Sequence, residues 1–454
     1  MKSASEKEIF ETMPVPMAVM TLAVPTIISQ IVTMVYNLAD TFFVGQIGDP
    51  LMVAAVSLVY PWFHILSAFG NLFGVGGGSL ISRLLGAKRG SEARCVSSFS
   101  FFGALTVSLA YALLSLVFME PILKLLGASS ATAGYARSYL LWVIVIGGVP
   151  TVLGLTLGNL LRSEGHAREA SLGMMLGGLL NVALDPLFIF TFRMNVTGAA
   201  LATAVSNAVS VLFFLGVFRR LRGRTQMSLR FKYFVCRYAR EVLSVGSASA
   251  IAVTLGALCN MTIVKLASAY GDVPVAAYGI VKKVDLFPMA VSMGLCQGFM
   301  PLVGYNYAAK NYRRMNAISR FSWAVGGVFS AVIVASYWFL SPQIMHFFIH
   351  SVQTERIGAS FLRVACLAIP VQVVNFLISY SLQAMGKGMQ ALVLFSCRLG
   401  FFNIPLLFVM NSLIGMYGMV WVQLMAETLV IPVSFLLYIL ELRKLKREER
   451  SDSA

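Results

Sequence analysis

The chain has 454 residues, of which 58% are hydrophobic and only 12% are charged, and its mean hydropathy is +0.79. Soluble globular proteins carry about 25% charged residues, so this composition excludes a water-exposed surface for most of the chain and favours an integral membrane protein. We interpret the formal net charge of +16 as a topology signal rather than as nucleic-acid binding, because cytoplasmic loops of membrane proteins collect Lys and Arg.

Long apolar stretches follow one another along the whole chain. At about 1.5 Å rise per residue, each is long enough to cross a hydrocarbon core of roughly 30 Å with some tilt. We therefore predict an all-α integral membrane protein with twelve transmembrane helices. These spans lie near residues 14–39, 51–80, 96–119, 138–161, 169–191, 197–218, 242–267, 275–305, 318–341, 361–383, 390–410 and 416–440.

The spans and the polar segments between them predict four regions. They are a first six-helix lobe (1–218), a basic cytoplasmic linker (219–240), a second six-helix lobe (241–440) and a charged cytoplasmic tail (441–454). Most Lys and Arg residues lie before span 1, after even-numbered spans or in the tail. This distribution predicts a bacterial inner-membrane protein with both termini in the cytoplasm. We interpret the basic linker as a topology determinant that also contacts anionic lipids, with a nucleic-acid patch as the alternative.

The second half of the chain repeats landmarks of the first after about 222 residues. The matching pairs are Gly48-Asp49 with Gly271-Asp272, Ala87-Lys88 with Ala309-Lys310, and Leu161-x3-Gly165 with Leu382-x3-Gly386. Two halves of six crossings each have the same membrane orientation, so they are predicted to be parallel repeats about an axis along the membrane normal. A cleft between two such lobes is the expected substrate site, and rocking of the lobes gives alternating access.

Three motifs indicate a family. They are Asp40-Thr-Phe-Phe-Val-Gly45-x2-Gly48-Asp49, the segment Leu161-Arg-Ser-Glu-Gly-His166 with its echo Leu382-Gln-Ala-Met-Gly-Lys387, and Asn181-x3-Asp185-Pro186. In this order and with the duplication, they resemble the multidrug and toxic compound extrusion (MATE) transporters, and most closely the bacterial branch that includes the staphylococcal multidrug exporter. The resemblance implies export of small organic, often cationic, drugs, driven by H⁺ or Na⁺, through a V-shaped pair of six-helix bundles. We expect a monomer with no cofactor and no enzymatic activity.

Four polar residues of the first lobe are candidates for ion coupling. An ionisable residue inside the membrane costs several kcal/mol unless it is paired or hydrated. Helix-rise arithmetic places Asp40, Asp185 and Thr203 in the outer third of the membrane, with Asn181 one turn from Asp185 on the same face. Two neighbouring carboxylates in a poorly hydrated place cannot both stay ionised, so we expect one to hold a proton. Alternatively, the four oxygen-bearing groups form a cage for Na⁺.

The resemblance implies the same role, because matching MATE transporters use the equivalent acids, amide and hydroxyl for their coupling ion. The alternative is that Asp40 is a helix-end residue facing outer water and that Asp185 caps a segment broken by proline. We expect no metal beyond a Na⁺ at these residues. Pro25 lies in the middle of span 1 and predicts either a hinge that bends during transport or a static kink.

The second lobe carries charged residues at mid-membrane depth. Lys282 and Asp285 in span 8 are three residues apart and either neutralise each other locally or place a carboxylate in the cleft to attract a cationic substrate. Arg398 in span 11 and Glu427 in span 12 reach similar depth. For these two residues a structural ion pair is favoured over a substrate site.

A cleft for varied organic cations is expected to be apolar, deformable and aromatic, which the 23 Met and 32 Phe residues permit. Tyr36 and Asn37 in span 1 are candidate lining residues. Met289, Met293 and Gln297 follow Asp285 along span 8 and are candidates as well. Ordinary helix packing or lipid contact is the alternative for each of them.

Two other functional classes fit the sequence less well. A lipid or lipid-linked oligosaccharide flippase shares this duplicated architecture, but spans 1 to 6 contain no mid-membrane Lys or Arg to bind a polyanionic head group. A membrane-embedded enzyme is disfavoured because the longest connection, near 219–240, is basic and lacks an acid pair. No Cys/His metal pattern or nucleophile-base pairing is visible in the sequence.

Overall fold

The computed structural model describes residues 8–453, and these residues form helices joined by short connections. Residues 1–7 and 454, which the predicted first lobe and tail include, lie outside the described part. Eleven helices are long and apolar enough to cross a membrane, and one bent pair completes a set of twelve. The described residues therefore confirm the predicted all-α architecture.

The first half of the chain contains eight α-helices. They are α1 (Val15–Gly45), α2 (Pro50–Gly86), α3 (Gly90–Val117), α4 (Met119–Leu125), α5 (Ala133–Leu140), α6 (Gly148–Ser163), α7 (Ala167–Pro186) and α8 (Asn195–Arg220). The second half contains another eight. They are α9 (Ala239–Ala267), α10 (Asp272–Ala308), α11 (Tyr312–Phe348), α12 (Val352–Cys366), α13 (Ala368–Ala384), α14 (Gly388–Phe395), α15 (Asn403–Ile414) and α16 (Met416–Ser453). The predicted charged tail thus begins as a continuation of α16.

Several spans are less regular than the sequence predicts. Span 4 is not one helix, because a π-helical segment (Leu141–Ile146) and a 44° bend at Gly147 separate α5 from α6. There are two further π-helical segments. Leu187–Thr191 continues the span after the end of α7, and Ser396–Phe402 connects α14 to α15. A π-turn accommodates one extra residue and re-aims the side chains around it. Hydropathy detects the length of an apolar stretch but not such local changes of helical pitch.

Two hydrophobic cores correspond to the two halves of the chain. One contains buried residues from α2, α3, α5, α6 and α8. The other contains buried residues from α10 to α16, and it also takes in Leu22 and Ala23 of α1. The amino-terminal half of α1 therefore packs into the second core. The exact boundaries of the four predicted regions stay a prediction.

The two lobes pack together at one end of the bundle. We call this end the terminal face: it carries the first described residues and the connections 86–90, 163–167, 220–238, 308–312 and 384–388. Backbones approach closely there, since a Cβ atom on Gly76 would collide with the carbonyl of Val242 and one on Gly246 with that of Leu72. The hydroxyl of Ser79 also donates to the carbonyl of Gln383 across the lobes, at 2.5 Å.

At the other end, which we call the opposite face, the inter-lobe helices are uncovered. In α1 six buried residues lie between Ala18 and Ser29, but after that only Val44 is buried. In α9 the buried residues likewise concentrate between Val242 and Ser249. A Cβ atom on Gly256 of α9 would meet nothing within 4 Å. The lobes thus close the bundle at the terminal face and leave a cleft open toward the opposite face.

The segment before α1 also reaches the second lobe. Residues Glu8–Thr12 form a π-helical turn in which Phe10 is buried and stacks on Tyr305 of α10, with ring centroids 4.8 Å apart. Arg314 of α11 donates to the carbonyls of Ile9, Phe10 and Met13. One guanidinium thus satisfies three carbonyls of the segment that leads into α1.

Candidate functional site

The polar centre of the first lobe lies where α7 meets α8. Asn181 and Asp185 are four residues apart on α7, so their side chains share one face, and both are buried. The Asn181 amide donates to Asp185 Oδ1 at 3.5 Å and to the hydroxyl of Thr203 on α8 at 3.4 Å. The Thr203 hydroxyl in turn donates to the carbonyl of Ala199 at 3.1 Å. The structure therefore brings three of the four candidate coupling residues into hydrogen-bonding distance.

Asp40 approaches this centre from α1. Its carboxyl group interacts electrostatically with Asp185, although they lie 145 positions apart in the sequence. Two tyrosines share this electrostatic environment: Tyr139 of α5 interacts with both acids, and Tyr36 of α1 interacts with Asp40. Tyr60 of α2 interacts with both tyrosines. The predicted meeting of Asp40 and Asp185 inside the first lobe matches this arrangement.

Tyr139 and Tyr60 were not among the site residues predicted from the sequence. Tyr139 is only 9% exposed and belongs to the short helix α5. The sequence predicted α5 only as part of a continuous span 4. Depth in the membrane was the one sequence feature that could have indicated Tyr139, because a count of residues from the start of α5 puts it near the level of Asp40. Depth alone does not tell which face of a helix meets a neighbouring helix.

The site has more acceptor atoms than donors. Oδ1 of Asp40, Oδ1 of Asn181 and Oδ2 of Asp185 are buried, and none has a hydrogen-bond partner among residues 8–453. A buried carboxylate oxygen without a donor costs free energy. Binding of a proton or another cation removes that cost, so the arrangement is suited to a cation.

Pro25 lies inside α1, and the helix continues through it. Thr26 donates to the carbonyl of Leu22 at 2.8 Å, and Ser29 donates to that of Thr26 at 2.9 Å. These hydroxyl groups satisfy carbonyls around the proline, where the backbone ladder lacks one donor. Whether Pro25 acts as a hinge or as a static kink stays a prediction.

In the second lobe, Lys282 and Asp285 form the local pair that their spacing predicts, with Nζ and Oδ2 4.0 Å apart. Lys282 also donates to Gln423 of α16 at 2.8 Å. Asp285 interacts electrostatically with Tyr337 of α11 and Cys366 of α12, which belong to the same lobe. These contacts favour a structural role inside the second lobe, and contact of Asp285 with substrate stays a prediction.

Arg398 and Glu427 form a buried ion pair, with Nε and Oε1 2.5 Å apart. The Asn375 amide donates to the other carboxylate oxygen at 2.7 Å, and the hydroxyl of Ser434 donates to the amide oxygen of Asn375 at 2.9 Å. The Arg398 guanidinium also lies 4.3 Å from the ring centroid of Phe376. This satisfied network matches the favoured structural interpretation.

The other candidate lining residues occupy different parts of the cleft. Asn37 on α1 and Met289 on α10 are exposed, whereas Tyr36 and Met293 are half-buried. Gln297 lies deeper in the bundle, where it accepts a hydrogen bond from Gln30 at the middle of α1 at 3.0 Å. This bond joins α1 to α10 next to Ser29, where the buried part of α1 ends. Substrate contact for these five residues stays a prediction.

Residues in two of the motifs that indicate the family have structural roles. In the first, Gly48 adopts a φ of +79° and Asp49 caps α2 by accepting from the amide of Leu51 at 2.9 Å. In the second, Glu164 is fully buried and accepts hydrogen bonds from the Thr225 hydroxyl and the Gln226 amide of the linker. Part of the basic linker is therefore docked on the first lobe.

Comparisons with known proteins agree with this architecture. The model of the MatE family matches residues 25–187 and again residues 248–409, which confirms the predicted duplication. The multidrug export protein MepA of Staphylococcus saprophyticus subsp. saprophyticus is 34% identical over 420 residues, and the match covers 92% of each chain. The family model and this relative together cover most of the chain.

Solved structures share the fold. One is the outward-facing conformation of a multidrug resistance MATE family transporter of the MOP superfamily, with a TM-score of 0.91, 23% identity and coverage of 98% of this chain and 100% of that chain. Another is a MOP superfamily transporter from Pyrococcus furiosus, described as having a binding pocket of reverse polarity that suggests a different function. Its TM-score is 0.88, at 24% identity and with coverage of 98% and 100%. By its sequence, its duplication and its fold, the chain belongs to the MatE family of multidrug and toxic compound extrusion transporters, which are not enzymes.

Proposed function

We propose that this protein is an antiporter that exports small organic, predominantly cationic compounds by alternating access and is driven by H⁺ or Na⁺. The MepA relative of Staphylococcus saprophyticus is a multidrug export protein. The observation that carries the coupling mechanism is the set of three buried acceptor atoms without donors, on Asp40, Asn181 and Asp185. The coupling ion binds among these atoms and the hydroxyl of Thr203.

Electrostatics links ion binding to conformation. Two carboxyl groups that repel each other across α1 and α7 hold these helices apart unless a cation neutralises one of them. Because α1 packs on α10 of the second lobe as well as on α7 of the first, its displacement changes the inter-lobe contact. Occupancy of the acid site therefore biases which face of the cleft is open.

The driving force is sufficient for concentrative export. One net positive charge moving inward across about 100 mV supplies roughly 2.3 kcal/mol, which supports a concentration ratio of about 50-fold. Export of a monovalent cation uses this potential when two coupling ions enter for each substrate, whereas a one-for-one exchange moves no net charge and is driven by the concentration gradient of the coupling ion alone. The Tyr36 and Tyr60 rings lie beside the acid site and provide aromatic faces that attract organic cations. The coupling ion thus binds in the first lobe, next to the part of the inter-lobe cleft that these rings line.

Transport in proteoliposomes tests the proposal. Imposed H⁺ and Na⁺ gradients are applied separately, and movement of an organic cation dye is compared for the wild type, Asp185→Asn and Asp40→Asn. We expect the wild type to respond to one of the two gradients and both variants to lose that response. Asp49→Asn is the matched control, because it makes the same change at a helix cap that Asn also satisfies.

Gradient-driven dye movement that is unchanged in Asp185→Asn would contradict the coupling assignment. A protein that moves no cationic dye under either gradient but lets a fluorescent lipid cross would instead be a flippase. Retained monodispersity on size-exclusion chromatography separates loss of coupling from loss of folding.

We also propose that the protein lies in the bacterial inner membrane as a monomer, with the terminal face in the cytoplasm. The distribution of Lys and Arg supports this orientation. Reporter tags inserted after residues 90, 195 and 310 test it. The tags at 90 and 310 are expected in the cytoplasm and the tag at 195 outside, and any other pattern refutes the orientation.

A further inference from the structure

Two of the four histidines of the chain meet a glutamate on the opposite face. His346 lies in the last turn of α11, His350 in the connection that follows, and Glu355 in the first turn of α12. Nδ1 of His346 lies 2.9 Å from Oε1 of Glu355, and the two imidazole rings have centroids 4.9 Å apart. One ligand-type atom from each side chain lies within 4.8 Å of the others.

We propose that His346, His350 and Glu355 form a binding site for a divalent transition-metal ion, for which Zn²⁺ is the fitting ion. Two imidazoles and one carboxylate are a ligand set that Zn²⁺ accepts, with water in the fourth position. Tetrahedral bonds of about 2.0–2.1 Å place ligand atoms about 3.4 Å apart. The side chains of both histidines are exposed, so small rotations close the remaining gap without a cost in core packing.

The scaffold beneath the cluster is closely packed, which distinguishes it from a chance meeting of surface side chains. Met345 is fully buried and fills the space beside Gly358, where a Cβ atom would collide with its side chain. This contact fixes the spacing of α11 and α12 directly below the site. The Thr354 hydroxyl donates to Ser351 at 3.1 Å and orders the start of α12. His346 and Glu355 are placed on these two helices, so their backbones lose little freedom when a metal binds.

The metal would join the end of α11 to the start of α12 across their connection. Both helices belong to the second lobe, so the ion stabilises this lobe at the opposite face and takes no part in coupling. The site is independent of the proposed transport function.

Metal titration of the full chain in detergent tests the proposal. The protein carries an affinity tag without histidine and is first stripped with a chelator, because a polyhistidine tag would itself bind metal. Zn²⁺ binding is measured by isothermal titration calorimetry, and Co²⁺ replaces it to report tetrahedral coordination by visible absorption. We expect one Zn²⁺ per chain, intense Co²⁺ absorption and a higher unfolding temperature with Zn²⁺.

Each of His346→Ala, His350→Ala and Glu355→Gln should weaken Zn²⁺ binding by about tenfold or more, since loss of even an outer-sphere partner costs that much. Gln353→Ala, an exposed neighbour on the same turn, is the matched control and should bind as the wild type does. His350→Gln replaces His350→Ala if the latter does not fold. Binding that survives the loss of either histidine, or Co²⁺ that gives only the weak absorption of an octahedral ion, overturns the proposal.

Discussion

At the scale of single residues, the amide of Asn181 connects the acid site to the neighbouring helix, since it donates to Asp185 and to Thr203. A hydrogen bond to a buried charged group contributes about 1.5–3 kcal/mol. We predict that Asn181→Leu lowers gradient-driven dye transport by roughly ten- to hundredfold while the protein stays folded. Proteoliposome transport and the thermal unfolding temperature measure the two effects.

Asn207→Leu is the matched control for this prediction. Asn207 is partly buried in the first lobe, where its amide donates to the hydroxyl of Thr151 at 2.9 Å and not to either acid. Equal losses of transport in the two variants would mean that the effect reflects packing of the lobe rather than the acid site.

The Arg398–Glu427 pair allows a second residue-scale prediction, because both side chains are buried. Removing one partner of a buried ion pair leaves an unpaired charge and costs about 3–5 kcal/mol, whereas removing both charges is close to neutral. We predict that Arg398→Met lowers the unfolding temperature strongly and that adding Glu427→Gln restores most of it. Gln still accepts a hydrogen bond from the Asn375 amide, which now donates to Glu427.

Thermal unfolding of the wild type, both single variants and the double variant in detergent completes the cycle. The double variant should also keep its transport activity if the pair is structural. A refolded double variant without transport would instead assign the pair to the substrate pathway.

These residues illustrate how far sequence reasoning reaches within a site. Depth along a helix follows from rise per residue, so a common depth for Asp40 and Asp185 was predictable. Rotation about the helix axis is set by packing with neighbours. For that reason the sequence did not assign Tyr139 to the site, and it left open whether Asp285 faces the cleft or its own lobe.

At the scale of elements, the docked linker has one principal anchor. Glu164 is buried and accepts from the Thr225 hydroxyl and from the Gln226 amide, just after the arginine-rich start of the linker. We predict that Glu164→Ala releases residues 219–226 and makes them a substrate for trypsin, because a cleavage site must leave the folded surface to enter a protease. Limited proteolysis with mass spectrometry of the fragments measures this.

Glu169→Ala is the control, because Glu169 lies five residues later, in the first turn of α7, and its side chain is 40% exposed. Its digestion pattern should match that of the wild type. If Glu164→Ala is cut no faster than the wild type, the linker is held mainly by its other contacts, such as the donation from Ser98 to the carbonyl of Arg230 at 2.8 Å.

The linker also marks the limit of element prediction. Its charge predicted a connection between two lobes, but charge density does not reveal that one buried glutamate fastens it to the first lobe. The same holds for span 4. Its hydropathy predicted a crossing, whereas the π-helical segment and the bend at Gly147 depend on packing against α8, where a Cβ atom on Gly147 would meet Ala204 at 3.0 Å.

At the scale of the whole molecule, the duplication and the number of spans could be derived from the sequence, because both follow from chain-wide patterns of hydropathy and spacing. The direction in which the cleft opens could not. It depends on a few close backbone contacts between the lobes, which occur at glycines. The sequence alone does not tell these glycines from the other glycines of the chain. The closed terminal face is thus a property of the assembled lobes and can be tested at those contacts.

Gly246 of α9 makes the closest of these contacts, since a Cβ atom there would collide with the carbonyl of Leu72 on α2. Gly246→Ala forces the lobes apart at the terminal face, and such overpacking costs about 1–3 kcal/mol. We predict a shift of roughly 5- to 150-fold in the conformational equilibrium, toward a state with the opposite face closed. Spin labels at Gln46→Cys and Ser268→Cys, at the ends of α1 and α9 on that face, measure the distance between lobes after the native cysteines are replaced.

Gly256→Ala is the control on the same helix, because a Cβ atom there would have free space around it. Its label distances should equal those of the wild type. Gly246→Ala should add or enrich a shorter distance and reduce dye export, because a transporter confined to one state completes no cycle. Unchanged distances in Gly246→Ala would mean that the helices slide past the added methyl group, and that the contact of α2 with α9 does not determine which face of the cleft is open.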